Sequence, residues 1–166
     1  MREFAPNGRA LARFNLPMKI SLTCFLLLTL LGLATSVALY HQQFEFDSQT
    51  AGEYYRGNED DLDAEVFLVE KSYRQLLEVT HFHLYIMPIV YLALIHLYFL
   101  STRSEKEKII VTVITFGSVL LEIATPWLIR YVSVSFSPSF WISGIGLSLG
   151  TVWITFITIK EMWSSD

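Results

Sequence analysis

The stretch Ile109–Ile129, IIVTVITFGSVLLEIATPWLI, carries a single ionisable side chain, Glu122, in a run long enough to cross a bilayer. A spanning helix needs about 20 mostly apolar residues, because each rises about 1.5 Å and the hydrocarbon core is about 30 Å thick. Three further tracts pass the same test, residues 20–40, 81–100 and 140–159. Only 17% of the chain is charged and 52% is hydrophobic, and the charges cluster outside these tracts. Soluble domains average about 25% charged. The expected fold is therefore all-α: an integral membrane four-helix bundle, with residues 1–166 forming one membrane domain.

The first tract follows Arg9, Arg13 and Lys19 and ends near Ser36-Val37-Ala38, which resembles a signal-peptide cleavage site. Its apolar run is long for a signal sequence, so an uncleaved helix is expected. Lys and Arg mark the cytoplasmic side of membrane proteins. They gather in the N-terminal tail, between spans two and three (Arg103, Lys106, Lys108) and after span four (Lys160). In a four-span topology these three regions share one side. The expected arrangement is N-in/C-in in a bacterial inner membrane, with residues 41–80 as a periplasmic loop. That loop is rich in acid, with Glu59, Asp60, Asp61, Asp63 and Glu65 in one short stretch. Leu62, Val66, Val69, Tyr73, Leu76 and Leu77 recur at helical steps, so the loop is expected to contain an amphipathic helix leading into span two. Glu70 and Arg74 are spaced for an i,i+4 pair. Residues 42–57 have no period and are expected to be irregular. Ser137 and Pro138 read as the cap and first residue of span four. Gly146 and Gly150 within that span form a G-x-x-x-G pair that lets backbones approach closely.

Several function classes are excluded. A net charge of −4 and no basic stripe argue against nucleic-acid binding. Cys24 is the only cysteine, so there is no C-x-x-C-H for a c-type haem and no internal disulfide. P-loop, dinucleotide-glycine, G-x-S-x-G and H-E-x-x-H motifs are absent. The chain is not expected to be an enzyme on its own.

Ionisable side chains inside spans are costly and mark sites. Span two carries His81, His83 and His96, and His41 follows span one. His96 lies roughly 22 Å along the helix from His81 and about 60° around it. Two histidines on one helix at different bilayer depths resemble the pattern of small membrane b-type cytochromes, in which neutral imidazoles ligate haem iron. The resemblance covers the second span. It implies haem b, with His81 or His83 as iron ligands, His41 as a partner and Arg130 against a propionate. His81 and His83 with His41 and Glu78 are also a conceivable zinc or copper set. Thr112, Thr115, Ser118, Glu122 and Thr125 form one polar stripe on span three, continued by Arg130, and Pro126 interrupts the helix beside Glu122. Glu122 with His81 or His83, Arg130, Trp127 and Tyr131 composes a quinone site near the periplasmic face. Trp127, Tyr131, Phe140 and Trp141 also read as an interfacial aromatic belt.

The functional expectation is a small subunit of a membrane electron-transfer complex, respiratory or photosynthetic, that binds haem b or quinone. The alternative is a cofactor-free accessory subunit of a larger complex. The expected partners are the lipid bilayer, other membrane subunits and, at the acidic loop, a soluble periplasmic electron carrier.

Overall fold

The computed structural model describes residues 10–45, 47–58 and 67–164. Five α-helices follow in order: α1 Leu16–Phe44, α2 Ser48–Arg56, α3 Tyr73–Phe99, α4 Glu105–Tyr131 and α5 Ser139–Trp163. Short 3-10 turns lie at Leu11–Arg13 and Val134–Phe136. α1, α3, α4 and the segment Val134–Trp163 are each long and apolar enough to cross a membrane. α1, α3 and α4 begin before the apolar tracts because side chains cap their first turns. Asn15 accepts from the Met18 amide at 3.1 Å, Ser72 and Gln75 form a capping box, and Ser104 accepts from the Glu107 amide at 3.2 Å.

The bundle's outer surface is apolar. Phe82, Val113, Ile142 and Leu149 are each more than 60% exposed. Such a surface suits lipid and not water. Burial within the spans rises from 6% in α1 to 39% in the fourth. α5 is therefore the central helix, packed against α1, α3 and α4, and α1 is the outermost. In lipid the hydrophobic effect does not hold helices together, so close packing must. The α4–α5 interface supplies it with small residues. A Cβ on Gly146 would overlap Ser118 Oγ, and one on Gly150 would come within 2.7 Å of Thr115 Oγ1. Thr115 and Ser118 of the α4 polar stripe are thus buried against this small-residue face.

On the loop side the structure departs from several expectations. Residues 42–57 are not irregular: α1 runs on to Phe44, ends in a left-handed Glu45 (φ 51°), and α2 follows at once. Nine residues were too few to show a period. Asp47 caps α2 through the Thr50 amide at 2.9 Å. The proposed amphipathic helix begins at Tyr73; Phe67–Ser72 are not helical, and Leu62 and Val66 lie outside the described residues. Glu70 does not pair with Arg74. It reaches Arg130 at 2.6 Å, while Arg74 pairs with Glu78 at 2.9 Å, because the helix starts only after Glu70. Ser137 closes the Val134–Phe136 turn, and its buried hydroxyl makes no cap bond to α5. Phe140 is not an interfacial residue. It is buried with Phe44, Ala51 and Ile129 in a second core roofed by Tyr40, Tyr54 and Tyr55.

The Lys/Arg-rich end is tied by charge-assisted bonds. Glu161 accepts from the Thr102 amide and hydroxyl at 2.7 and 2.8 Å. Lys108 Nζ donates to the carbonyls of Phe99 and Ser101, which the end of α3 leaves free. Tyr98 and Trp153 both donate to Glu107, at 2.7 and 3.1 Å. These bonds join α3, α4 and α5 into one block. Leu11 of the N-terminal turn is fully buried, and that turn packs on α5.

Candidate functional site

α1 packs on α5, and α3 packs on α4 and α5. Between α1 and α3 lies a cavity of about 1010 Å³ with α4 and α5 as its floor. That is at the upper end of the range for small-molecule pockets. Its lining is graded. At the loop end stand Gln43, Lys71, Gln75 and Glu78; further in come Tyr40, His83 and Glu122; deeper still are Phe25, Leu28, Leu33 and Val90.

Glu122 is positioned by α5. Ser143 Oγ lies 2.5 Å from Glu122 Oε2 and 3.1 Å from the Phe140 carbonyl. A hydroxyl has one proton and can also accept, so a protonated Glu122 donating to Ser143 satisfies both contacts at once. Pro126, one turn on, also lines the cavity and deprives the Glu122 carbonyl of its helical amide partner. On the facing helix, His83 Nδ1 lies 2.8 Å from the Val79 carbonyl. With Nδ1 as donor, Nε2 is left as an acceptor. The hydroxyls of Tyr91 and Thr151 meet at 3.4 Å farther down. Tyr54 and Tyr55 close the loop end, with Lys71 Nζ 3.9 Å above the Tyr54 ring. Burial pushes the Tyr55 phenol above its ordinary pKa, with the Tyr54 and Glu122 charges adding to the effect.

Of the residues singled out from sequence, Glu122, His83, Glu78 and Phe140 line this cavity. His41, His81, His96 and Arg130 are not among its lining. His81 is exposed beside Tyr85, with ring centroids 5.0 Å apart, and His96 is exposed beside Phe99. His41 is exposed near the end of α1. Arg130 is committed to Glu70 and donates from Nε to the Lys71 carbonyl at 3.0 Å, so it holds the loop. Trp127 donates to Thr80 at 2.7 Å and stacks on Tyr131, outside the cavity. The aromatic rings at the cavity are instead those of Tyr40, Tyr54, Tyr55 and Tyr91, with Phe25, Phe44 and Phe140. Among the described residues, no three His, Cys, Asp or Glu side chains are grouped to hold a metal ion.

Sequence reasoning missed Ser143, although a signal for it exists. Ser143, Gly146 and Gly150 are spaced by 3 and 4 residues and so share one helix face, as do Thr115, Ser118 and Glu122. Antiparallel helices in contact along these stripes pair Glu122 with Ser143. Tyr40 gave no such signal, since a tyrosine ending an apolar tract reads as an interfacial anchor.

Comparison with curated proteins and with solved structures gives no match. A family model, Aq_1264_TM, described as a transmembrane helical domain, matches residues 45–166, which hold α2 to α5. Four membrane-length helices, a lipid-facing exterior and this match agree, and the chain belongs to that family of multi-pass transmembrane helical domains.

Proposed function

We propose that this chain is a small redox subunit of a membrane electron-transfer complex and that it binds a quinone in the cavity between α1 and α3. The observation that carries this reading is the meeting of Glu122 and His83 in one cavity between spanning helices. Quinone reduction takes up two electrons and two protons. An acid held by Ser143 and an imidazole with a free Nε2 are groups that exchange those protons. The electrons pass to or from a redox centre on a neighbouring subunit, and the loop end faces the periplasm by the Lys/Arg criterion. Haem b fits less well, because of the four histidines only His83 lines the cavity and a second axial imidazole is not beside it. The accessory-subunit reading draws on α1, whose span is only 6% buried and leaves room for a partner helix.

Two measurements test the proposal on protein purified in mild detergent. A reduced-minus-oxidised spectrum with pyridine haemochrome quantification is expected to show no stoichiometric b-type α-band, and extraction is expected to yield a bound quinone. Glu122→Gln and His83→Ala should each weaken quinone binding by about tenfold or more, the loss of one charge-assisted or buried hydrogen bond. A b-type band at one haem per chain would move the assignment to haem. A colourless protein without quinone that co-purifies with other subunits would make the accessory reading the leading one.

A further inference from the structure

The cavity is long as well as large. Along α1 its lining runs from Phe25 to Phe44, about 28 Å of helix, which is close to the hydrocarbon thickness of a bilayer. Its Lys, Glu and His side chains lie towards one end, and the deeper Tyr91 and Thr151 hydroxyls meet each other. Below Tyr40 the α1 wall runs from Leu39 to Phe25, and the hydroxyls of its Ser36 and Thr29 are already bonded to carbonyls of their own helix. Gly32 has nothing within 4 Å of where its Cβ would stand, so this part of the wall faces open space. The charges are informative too. The one lysine of the lining, Lys71, lies over the Tyr54 ring and shares the loop end with Glu78. Beside Glu122 there is no cation in the lining, and Arg130 is taken by Glu70.

We propose that the cavity takes a lipid with an uncharged head and a single apolar tail, drawn sideways from the bilayer between α1 and α3. The head lies level with Tyr40, His83 and Glu122. The tail runs from Tyr40 past Gly32 down to Phe25, about 22 Å of helix. A phosphate head is disfavoured, because it would meet the Glu122 carboxyl with no positive charge to offset its desolvation. The inference rests on the cavity being the ligand site, as in the quinone reading, but not on electron transfer.

The test uses the full chain in nanodiscs with three probes of equal tail length: an octadecyl-tailed benzoquinone, a monoacylglycerol and an alkyl phosphate. At least one uncharged probe should bind at least tenfold more tightly than the phosphate. Gly32→Phe, which fills the tail path, should weaken that binding at least tenfold, while Gly32→Ala should change it less than twofold. If Gly32→Phe does not fold, Ser36→Leu blocks the same path from a lipid-compatible position. Binding of the benzoquinone alone supports both proposals. Binding of the monoacylglycerol alone keeps this inference and removes the redox one. Equal or tighter binding of the phosphate, binding that survives both blocking variants, or no binding of any probe would overturn the inference.

Discussion

The α4–α5 interface gives a measurement in which most confounding terms cancel. Gly144, Gly146 and Gly150 lie on one helix, and each can be changed to Ala. Helix propensity favours Ala over Gly by about 0.8–1.0 kcal/mol at every site, so that term drops out of the comparison. What remains is the environment. A Cβ at Gly144 meets nothing within 4 Å. At Gly150 it comes within 2.7 Å of Thr115 Oγ1. At Gly146 it overlaps Ser118 Oγ and lies 3.2 Å from Ser118 Cβ, so turning the hydroxyl away relieves only part of the clash. Overpacking a tight contact costs about 1–3 kcal/mol. Gly146→Ala should therefore be about 1–3 kcal/mol less stable than Gly144→Ala, with Gly150→Ala between them. Ser118→Gly removes both offending atoms, so the Gly146→Ala/Ser118→Gly pair should show a coupling of about 1–2 kcal/mol. Reversible unfolding in mixed micelles, followed by tryptophan fluorescence, gives the numbers. Equal stabilities for the three alanine variants, with no coupling to Ser118, would refute the packing described for these helices.

Other consequences follow from the loop and the site. Gly57 has φ +80°, and a Cβ there would lie 2.9 Å from both the Leu68 carbonyl oxygen and the Glu70 amide; Gly57→Ala should cost about 1–3 kcal/mol and speed proteolysis between residues 57 and 72. Arg130→Gln should release Glu70 and the Lys71 carbonyl, raising hydrogen exchange at 67–72 while changing global stability by only about 1–2 kcal/mol, since the ion pair is partly solvated. Ser143→Ala should destabilise the bundle by about 1–3 kcal/mol because Glu122 then loses its α5 partner, and Glu122→Leu in the same background should recover most of that loss. The Asp47 carboxyl is held below its ordinary pKa, chiefly by the Thr50 backbone amide. Its contribution to α2 is full above the unfolded carboxylate pKa and fades as pH falls through the lowered folded value. Protection of the first α2 amides, taken relative to their intrinsic exchange at each pH, should fall on acidification in the native chain and show no such pH step in Asp47→Asn.

The spans were legible because hydrocarbon imposes a strong rule, continuous apolar length with every backbone group bonded internally. Their ends were less so. Capped polar turns such as Ser72–Gln75 and Ser104–Glu107 extend the helices into regions that hydropathy assigns to loops. Glu122 stood out as the one acid inside its tract, and its inward direction followed from the threonine and serine stripe. Which histidine would join it did not follow. His81 and His83 differ by about 200° around the helix, and only the packing of α3 on α4 selects the one that reaches the cavity. Arg130 and Glu70 show the same limit. An i,i+4 rule applies only where a helix exists, and the chain at Glu70 is still extended towards its cap at Ser72.

Asn58 and Leu68, which bracket the acidic segment 59–66 in the sequence, are fastened to each other. Asn58 accepts from the Leu68 amide at 2.7 Å through Oδ1 and donates its own amide to the Leu68 carbonyl at 3.0 Å. Once two ends are fixed together, lengthening the chain between them adds closure entropy only logarithmically, about 0.6 kcal/mol per doubling. This makes 59–66 a natural port for engineering. An epitope, a fluorescent domain or an affinity handle inserted there should leave the four spans undisturbed and report, from outside, on which side of the membrane the fastening stands.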